Sequence, residues 1–154
     1  RRPYFYSDLK VVDTVEGRYD MIIMHAFLLF HRLKGENENA KKLGQVVFDT
    51  MFKDIDQSLR EMGVGDMGVG RRVKKMASSF YGRVAAYDKA LAAEDNVDLE
   101  QAIARNIFNK TEADELVLRH LATYMRRNVE QLENLSVDEI LDGNLRYVNP
   151  ETLK

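Results

Sequence analysis

The ten residues from Met21 to Phe30 contain one polar side chain, His25, and no other window of the 154-residue chain is as apolar. A segment that is hydrophobic on nearly every face belongs in a protein core or in a membrane. Spanning a bilayer takes roughly 17–25 apolar residues, and this run meets His31 and Arg32 after ten. It is therefore expected to be a core helix wrapped by others, or a core helix that keeps one edge for a partner.

The chain has two prolines, Pro3 and Pro150, which leave a long proline-free interior. Proline inside a helix breaks it, so long helices are expected between them. Residues 16–34 read as the first, ended by Gly35 at the C′ position. Its stripe holds Tyr19, Ile22, Ile23, Ala26, Phe27, Phe30 and Leu33. Met21, Met24 and Leu28 fall outside the stripe and, with His25 and Arg32, form the expected partner edge. Residues 38–62 read as the second helix, capped by Asn37, with Leu43, Val46, Val47, Met51, Ile55, Leu59 and Met62 inward. GVGDMGVG, residues 63–70, reads as a flexible corner with Met67 and Val69 tucked into the body. The third helix is expected from Met67 or Val69 to Ala93, the fourth over 99–108 behind Asp98. The fifth is expected over 112–134, behind Thr111 and with Asp114 at N3, and a short one behind the Ser136–Glu139 capping box. Residues from Leu145 on read as a loosely docked strap.

No strand pattern is sustained. The expected fold is all-α: a single-domain bundle of about five main helices plus a short C-terminal helix, with no significant sheet. Residues 1–15 are expected to form an arm, 16–148 the helical domain and 149–154 a tail. The opening RRPYFYSD carries no apolar run of the secretory type.

Chemistry is hard to find. The chain has no cysteine and three histidines, His25, His31 and His120, with neither HExxH nor a helical Glu-x-x-His pair. His25 reads as a hydrogen-bonded core histidine. Asp54 and Asp56 sit two apart on a helix and do not face each other. The glycine-rich corner lacks the GxxxxGK[ST] pattern and follows no strand, and no nucleophile motif is present. No catalytic residue, metal or cofactor is assigned.

Two surfaces remain. Phe80 and Tyr87 lie on the stripe of the third helix, and Tyr81 lies about 100° off it, the spacing of successive helical residues. Arg71, Arg72, Lys74 and Lys75 place four cations in the first turns of that helix, where positive charge opposes the helix dipole. They suit a ribosome, an acidic tail or an anionic membrane surface. A net charge of −2 argues against general nucleic-acid binding. Residues 1–77 carry 14 Lys/Arg against 11 Asp/Glu, and residues 78–154 carry 9 against 14.

Several fragments together resemble the ubiquinol–cytochrome c chaperone family. They are His25…Leu28-Leu29…Arg32, Phe52-x-Asp54…Arg60-x-Met62-Gly63-Val64, Met76-x-x-x-Phe80-Tyr81…Tyr87-Asp88, Arg105-x-x-Phe108-Asn109, and Leu121-x-x-Tyr124-x-Arg126…Leu132. The resemblance covers roughly residues 15–148. It implies a non-catalytic assembly factor for respiratory complex III whose client is newly made cytochrome b. Mitochondrial members of the family work with a smaller partner chaperone near the ribosomal tunnel exit. The chain has no tryptophan, which those members carry in the first two helices, and Phe52 stands at one such place. A bacterial member is expected, in the cytoplasm or peripheral at the inner membrane; an organellar one would lie in the mitochondrial matrix. Candidate client-binding residues are Met21, Met24, His25, Leu28, Arg32, Phe80, Tyr81 and Tyr87. Two other readings stay open: a helical RNA- or ribosome-associated protein using the basic cluster, and an enzyme binding an apolar ligand between helices.

Overall fold

The computed structural model describes residues 2–108 and 113–153. Its helices are α1 (Tyr4–Ser7), α2 (Val15–Leu33), α3 (Glu38–Glu61), α4 (Asp66–Leu91), α5 (Val97–Ile107), α6 (Glu115–Glu133) and α7 (Val137–Leu141), followed by a 3₁₀ turn at Pro150–Thr152. No strand forms among the described residues.

The apolar run forms the centre of α2, which packs against α3, α4, α5 and α6. Its faces feed three separate clusters. Met21, Met24, Phe27 and Leu28 join Phe5, Tyr87, Leu99, Ile103, Leu121 and Tyr124. Tyr19, Ile23 and Ala26 meet Met51, Phe52 and Phe80. Leu29 and Leu33 meet Ala40 and Ile140. A single stripe can serve one neighbour, whereas enclosure by several neighbours needs apolar residues around most of the helix.

This corrects the expected partner edge. Met24 and Leu28 are each 0% exposed and Met21 is buried. The N-terminal segment and the α5–α6 pair close over that side of α2. Phe80 and Tyr87 are buried as well, while Tyr81 is 62% exposed.

The ends of the helices show how local chemistry sets the boundaries. Asn37 and Ser136 cap α3 and α7 as the sequence suggests, the latter in a full capping box. Gly35 and Gly63 take φ of +81° and +80° after α2 and α3, a conformation open to glycine at little cost. The 63–70 corner is shorter than its glycines imply. Asp66 to Gly70 already belong to α4, with Val69 buried and Met67 exposed. The start of α5 comes at Val97, two residues before the expected one. There Asp95 Oδ1 accepts from the Val97 amide at 3.1 Å, and the Asn96 side chain is taken by Arg126 Nε at 2.5 Å. Asp114 caps α6 by accepting from the Leu116 amide at 2.8 Å. The expected cap Thr111, the expected start Glu112 and the motif residue Asn109 lie outside the described residues.

The C-terminal segment is tightly held, contrary to the expected loose strap. Buried Asn128 donates to the Tyr124 carbonyl at 2.7 Å and accepts from the Val148 amide at 2.8 Å. His120 Nε2 donates to the Pro150 carbonyl at 2.9 Å. Arg2 Nη1 reaches Asn149 Oδ1 at 2.8 Å, joining the two ends of the chain.

The N-terminal arm crosses the first turn of α2 so closely that a Cβ on Gly17 would lie 2.0 Å from the Val12 carbonyl oxygen. Glycine to alanine in a helix ordinarily stabilises, by roughly 0.5–1 kcal/mol. At this position the sign should reverse. Gly17→Ala is expected to lower the urea-unfolding free energy by about 1–3 kcal/mol, the range of overpacking. Gly82, exposed on α4 with open space around it, is the control that should gain stability.

Candidate functional site

The motif residues of α2 prove to be anchors of the frame. The carbonyl of Met21 can only accept, so His25 Nδ1 donates to it at 2.7 Å. That fixes Nε2 of the neutral ring as the acceptor for the Tyr124 hydroxyl at 2.9 Å. Phe5 and Tyr147 stand edge-on to the imidazole, with centroids at 5.6 and 4.9 Å. The Tyr147 hydroxyl donates to the His25 carbonyl at 2.9 Å. One residue thus ties α1, α2, α6 and the C-terminal segment together. Burial lowers the His25 pKa, reinforced by the charge of Arg2, and burial raises Tyr124 to about 12.

Arg32 closes the far end of α6. Its Nε and Nη2 donate to the carbonyls of Leu132 and Leu135 at 3.0 and 2.7 Å, and Nη1 reaches Glu36 at 2.5 Å. Arg126 holds the link after α4: Nη1 reaches the last helical carbonyl, Leu91, at 3.5 Å, and Nη2 donates to the Ala93 and Asp95 carbonyls just beyond it at 2.7 and 2.5 Å. Final helical carbonyls lack partners inside their own helix and carry partial negative charge, so a guanidinium fork satisfies both needs. Asp88 of α4 accepts from His31 Nδ1 at 2.7 Å and from Lys34. The Lys34 bond, then that of His31, holds its carboxyl below the usual range against some desolvation. Asp20 and Arg83 form a largely buried ion pair at 2.5 Å between α2 and α4. Burial raises the Asp20 carboxyl against the pull of Arg83.

The open apolar surface lies elsewhere, in a groove between α2 and α3. One section, of about 720 Å³, is lined by Val15, Tyr19, Ile22, Val46, Met51, Ile55, Met62 and Met76, with Asp54 and Glu61 also on its walls. A second section, of about 920 Å³, shares Arg18, Ile22, Val47 and Met51 with it and continues to Leu145 and Tyr147. Met21 and His25 reach the lining of this second section. Ile22 is 51% exposed and Val46 is 60% exposed; Val15 and Met62 are exposed too. An isolated exposed aliphatic residue is ordinary, but a contiguous set in a groove marks a binding surface.

Sequence reading placed Ile22 and Val46 in core stripes and so missed this groove. One signal was available. Val46 and Val47 are adjacent, hence about 100° apart on a helix, and cannot both face the same core. The structure gathers the remaining candidates into different places. His25 and Arg32 hold the frame, Phe80 and Tyr87 fill cores, and Tyr81 lies on the outside of α4, against Phe48 and Phe80 with ring centroids at 5.9 and 5.6 Å. Arg71, Arg72, Lys74 and Lys75 are exposed on the first turns of α4.

The family model of the ubiquinol-cytochrome C chaperones matches residues 7–147. The chain belongs to this family. It is similar along its whole length to the crystal structure of the Cbp3 homolog from Brucella abortus, with 40% identity, a TM-score of 0.90 and 84% of that chain covered. Ubiquinol-cytochrome c reductase complex assembly factor 1 of Mus musculus is 24% identical over 93% of this chain. Protein CBP3, mitochondrial, of Saccharomyces cerevisiae is 28% identical over 96% of it. The chain spans 48% and 45% of those two proteins, about half their length. Among the chaperone-family fragments, Asp54, Met62 and Met76 line the open groove near the α3 end, whereas Arg32, Phe80, Tyr87 and Arg126 support the bundle.

The neutral His25 links stability to pH. Its folded pKa lies below its unfolded value of about 6.5. The unfolded chain therefore takes up this proton first, and the contribution is whole above about pH 6.5 and lost as pH falls below it. Urea midpoints should fall between pH 7.5 and 5.5. His25→Gln, less stable at pH 7.5, should show a flatter fall over the same window. Parallel curves for the two proteins would contradict the assignment.

Proposed function

We propose that this chain is a non-catalytic chaperone for assembly of the ubiquinol–cytochrome c reductase complex, and that it holds an apolar segment of newly made cytochrome b in the groove between α2 and α3. The observation that carries the reading is the exposure of Val15, Ile22, Val46 and Met62 along one groove in a chain of this family. A membrane subunit that has not yet inserted presents apolar helices to water, and a groove of aliphatic and methionine side chains can cover one such helix. Methionine adapts to varied partners because it is unbranched and polarizable. The groove is open along its length and suits an extended helical client better than a small enclosed substrate, for which a pocket with convergent polar groups is the usual form. The names of the relatives, as assembly factors of this complex, support the same reading.

The test separates binding from folding. Ile22→Glu with Val46→Glu places two charges in the groove at positions already half exposed. Stability should change by about 0.5 kcal/mol or less per site, as for surface substitutions. In a strain lacking the gene, the parent chain should restore cytochrome b levels, and the double variant should restore less than a tenth, with other membrane proteins unchanged. Full restoration by the double variant would move the client site off this groove. Normal cytochrome b in the deletion strain would remove the function itself.

A further inference from the structure

From Met67 to Tyr87 the chain has 21 consecutive residues without an acid, in a sequence with 25 acidic residues. These residues make up most of α4. Helical spacing puts Met67, Arg71, Lys74, Lys75, Ser78 and Tyr81 on one side of the helix, and all six are exposed. Among the described residues, Arg83 is the one cation of the stretch bound in an ion pair, with Asp20. No described acid lies within ion-pair distance of Arg71, Arg72, Lys74 or Lys75.

At the head of this face is the α3–α4 corner, turned by Gly63 and Gly65. It projects two methionines: Met67 is 86% exposed and Met62 57%. Val69 is the fully buried residue of the corner and Val64 is half-buried, while both methionines stay outside the core. The acids nearest the turn are already engaged. Asp56 and Asp66 both meet Arg60, and Glu61 accepts from Gln57.

We propose that the α3–α4 corner and the outer face of the first turns of α4 are a docking surface for an anionic phospholipid bilayer. The cations meet lipid phosphates, and Met67 and Met62 enter the boundary between headgroups and acyl chains, as on interfacial amphipathic helices. Projecting methionines favour a bilayer over RNA, whose bases are recognised by stacking on aromatic rings; the aromatic of this face, Tyr81, has its ring against Phe48 and Phe80. The four clustered cations have no aromatic residue between them. Met62 also lines the groove, so docking would set one mouth of the groove against the membrane. The surface is defined without reference to the client, and its test is independent of cytochrome b.

The absence of tryptophan gives a direct probe. The whole chain carrying Met67→Trp should show a blue-shifted emission on vesicles of phosphatidylcholine with 40% phosphatidylglycerol, and none on phosphatidylcholine alone. Val97→Trp, exposed at the start of α5, should not shift on either. The vesicle affinity read from co-sedimentation should fall roughly 600-fold when Arg71, Arg72, Lys74 and Lys75 all become Gln, since each near-surface cation contributes about fivefold. High salt should weaken the parent in the same way. Three results would overturn the proposal: no shift at Met67→Trp, equal shifts at both reporters, or equal sedimentation of parent and charge variant. Binding to ribosomes that depends on the four cations, with no binding to vesicles, would assign the patch to RNA instead.

Discussion

Everything in this bundle depends on enclosing one helix that has almost no side suited to water. Covering α2 takes contributions from α3, α4, α5 and α6, and from both ends of the chain. The buried His25 is the single polar side chain within its apolar run, and its two ring nitrogens are matched by one acceptor and one donor. An unmatched polar group there would cost roughly 1–3 kcal/mol. Matching it draws α6 into register with α2 and brings Tyr147 over the ring. The polar exception thereby orients elements that apolar packing alone would leave free to slide.

The same economy governs Arg32 and Arg126. Both sit in fragments that carry the family resemblance, and both spend their donors on carbonyls at the ends of helices. Much of the recognisable pattern in this sequence is therefore a pattern of assembly of the fold. The side chains available to another molecule sit between these anchors, on α2 and α3 at the groove and on α4 at its outer face. A groove lined by side chains of two helices that are held rigidly elsewhere can remain apolar and open without collapsing.

The five main helices and the short one behind Ser136, the caps at Asn37 and Ser136, the stop at Gly35 and the central position of α2 could be read from periodicity and local hydrogen-bonding chemistry; the N-terminal arm also holds the short α1. The exposed side of α2 could not. Its apolar residues run nearly all the way round, so composition cannot say that Ile22 faces outward while Met24 faces inward; that choice is made by where α5 and α6 pack. Boundaries failed where tertiary contacts compete for local groups. The fourth helix is expected behind Asp98, but it starts at Val97, where Asp95 takes the amide and Arg126, from thirty residues away, holds the Asn96 side chain. The strap looked loose because short extended segments carry little internal signal, and its hold comes from Asn128 and His120 on another helix.

The meeting of Arg2 with Asn149 has a further consequence for architecture. Arg2, Leu145 and Tyr147 border the end of the groove away from Met62. In a longer chain built on this domain, segments appended before Arg2 or after Leu153 would start close together, beside that end. A single accessory module could therefore be attached through either terminus and reach the same place. Fusions at the front or the back would start from neighbouring points, and neither need disturb the corner between α3 and α4.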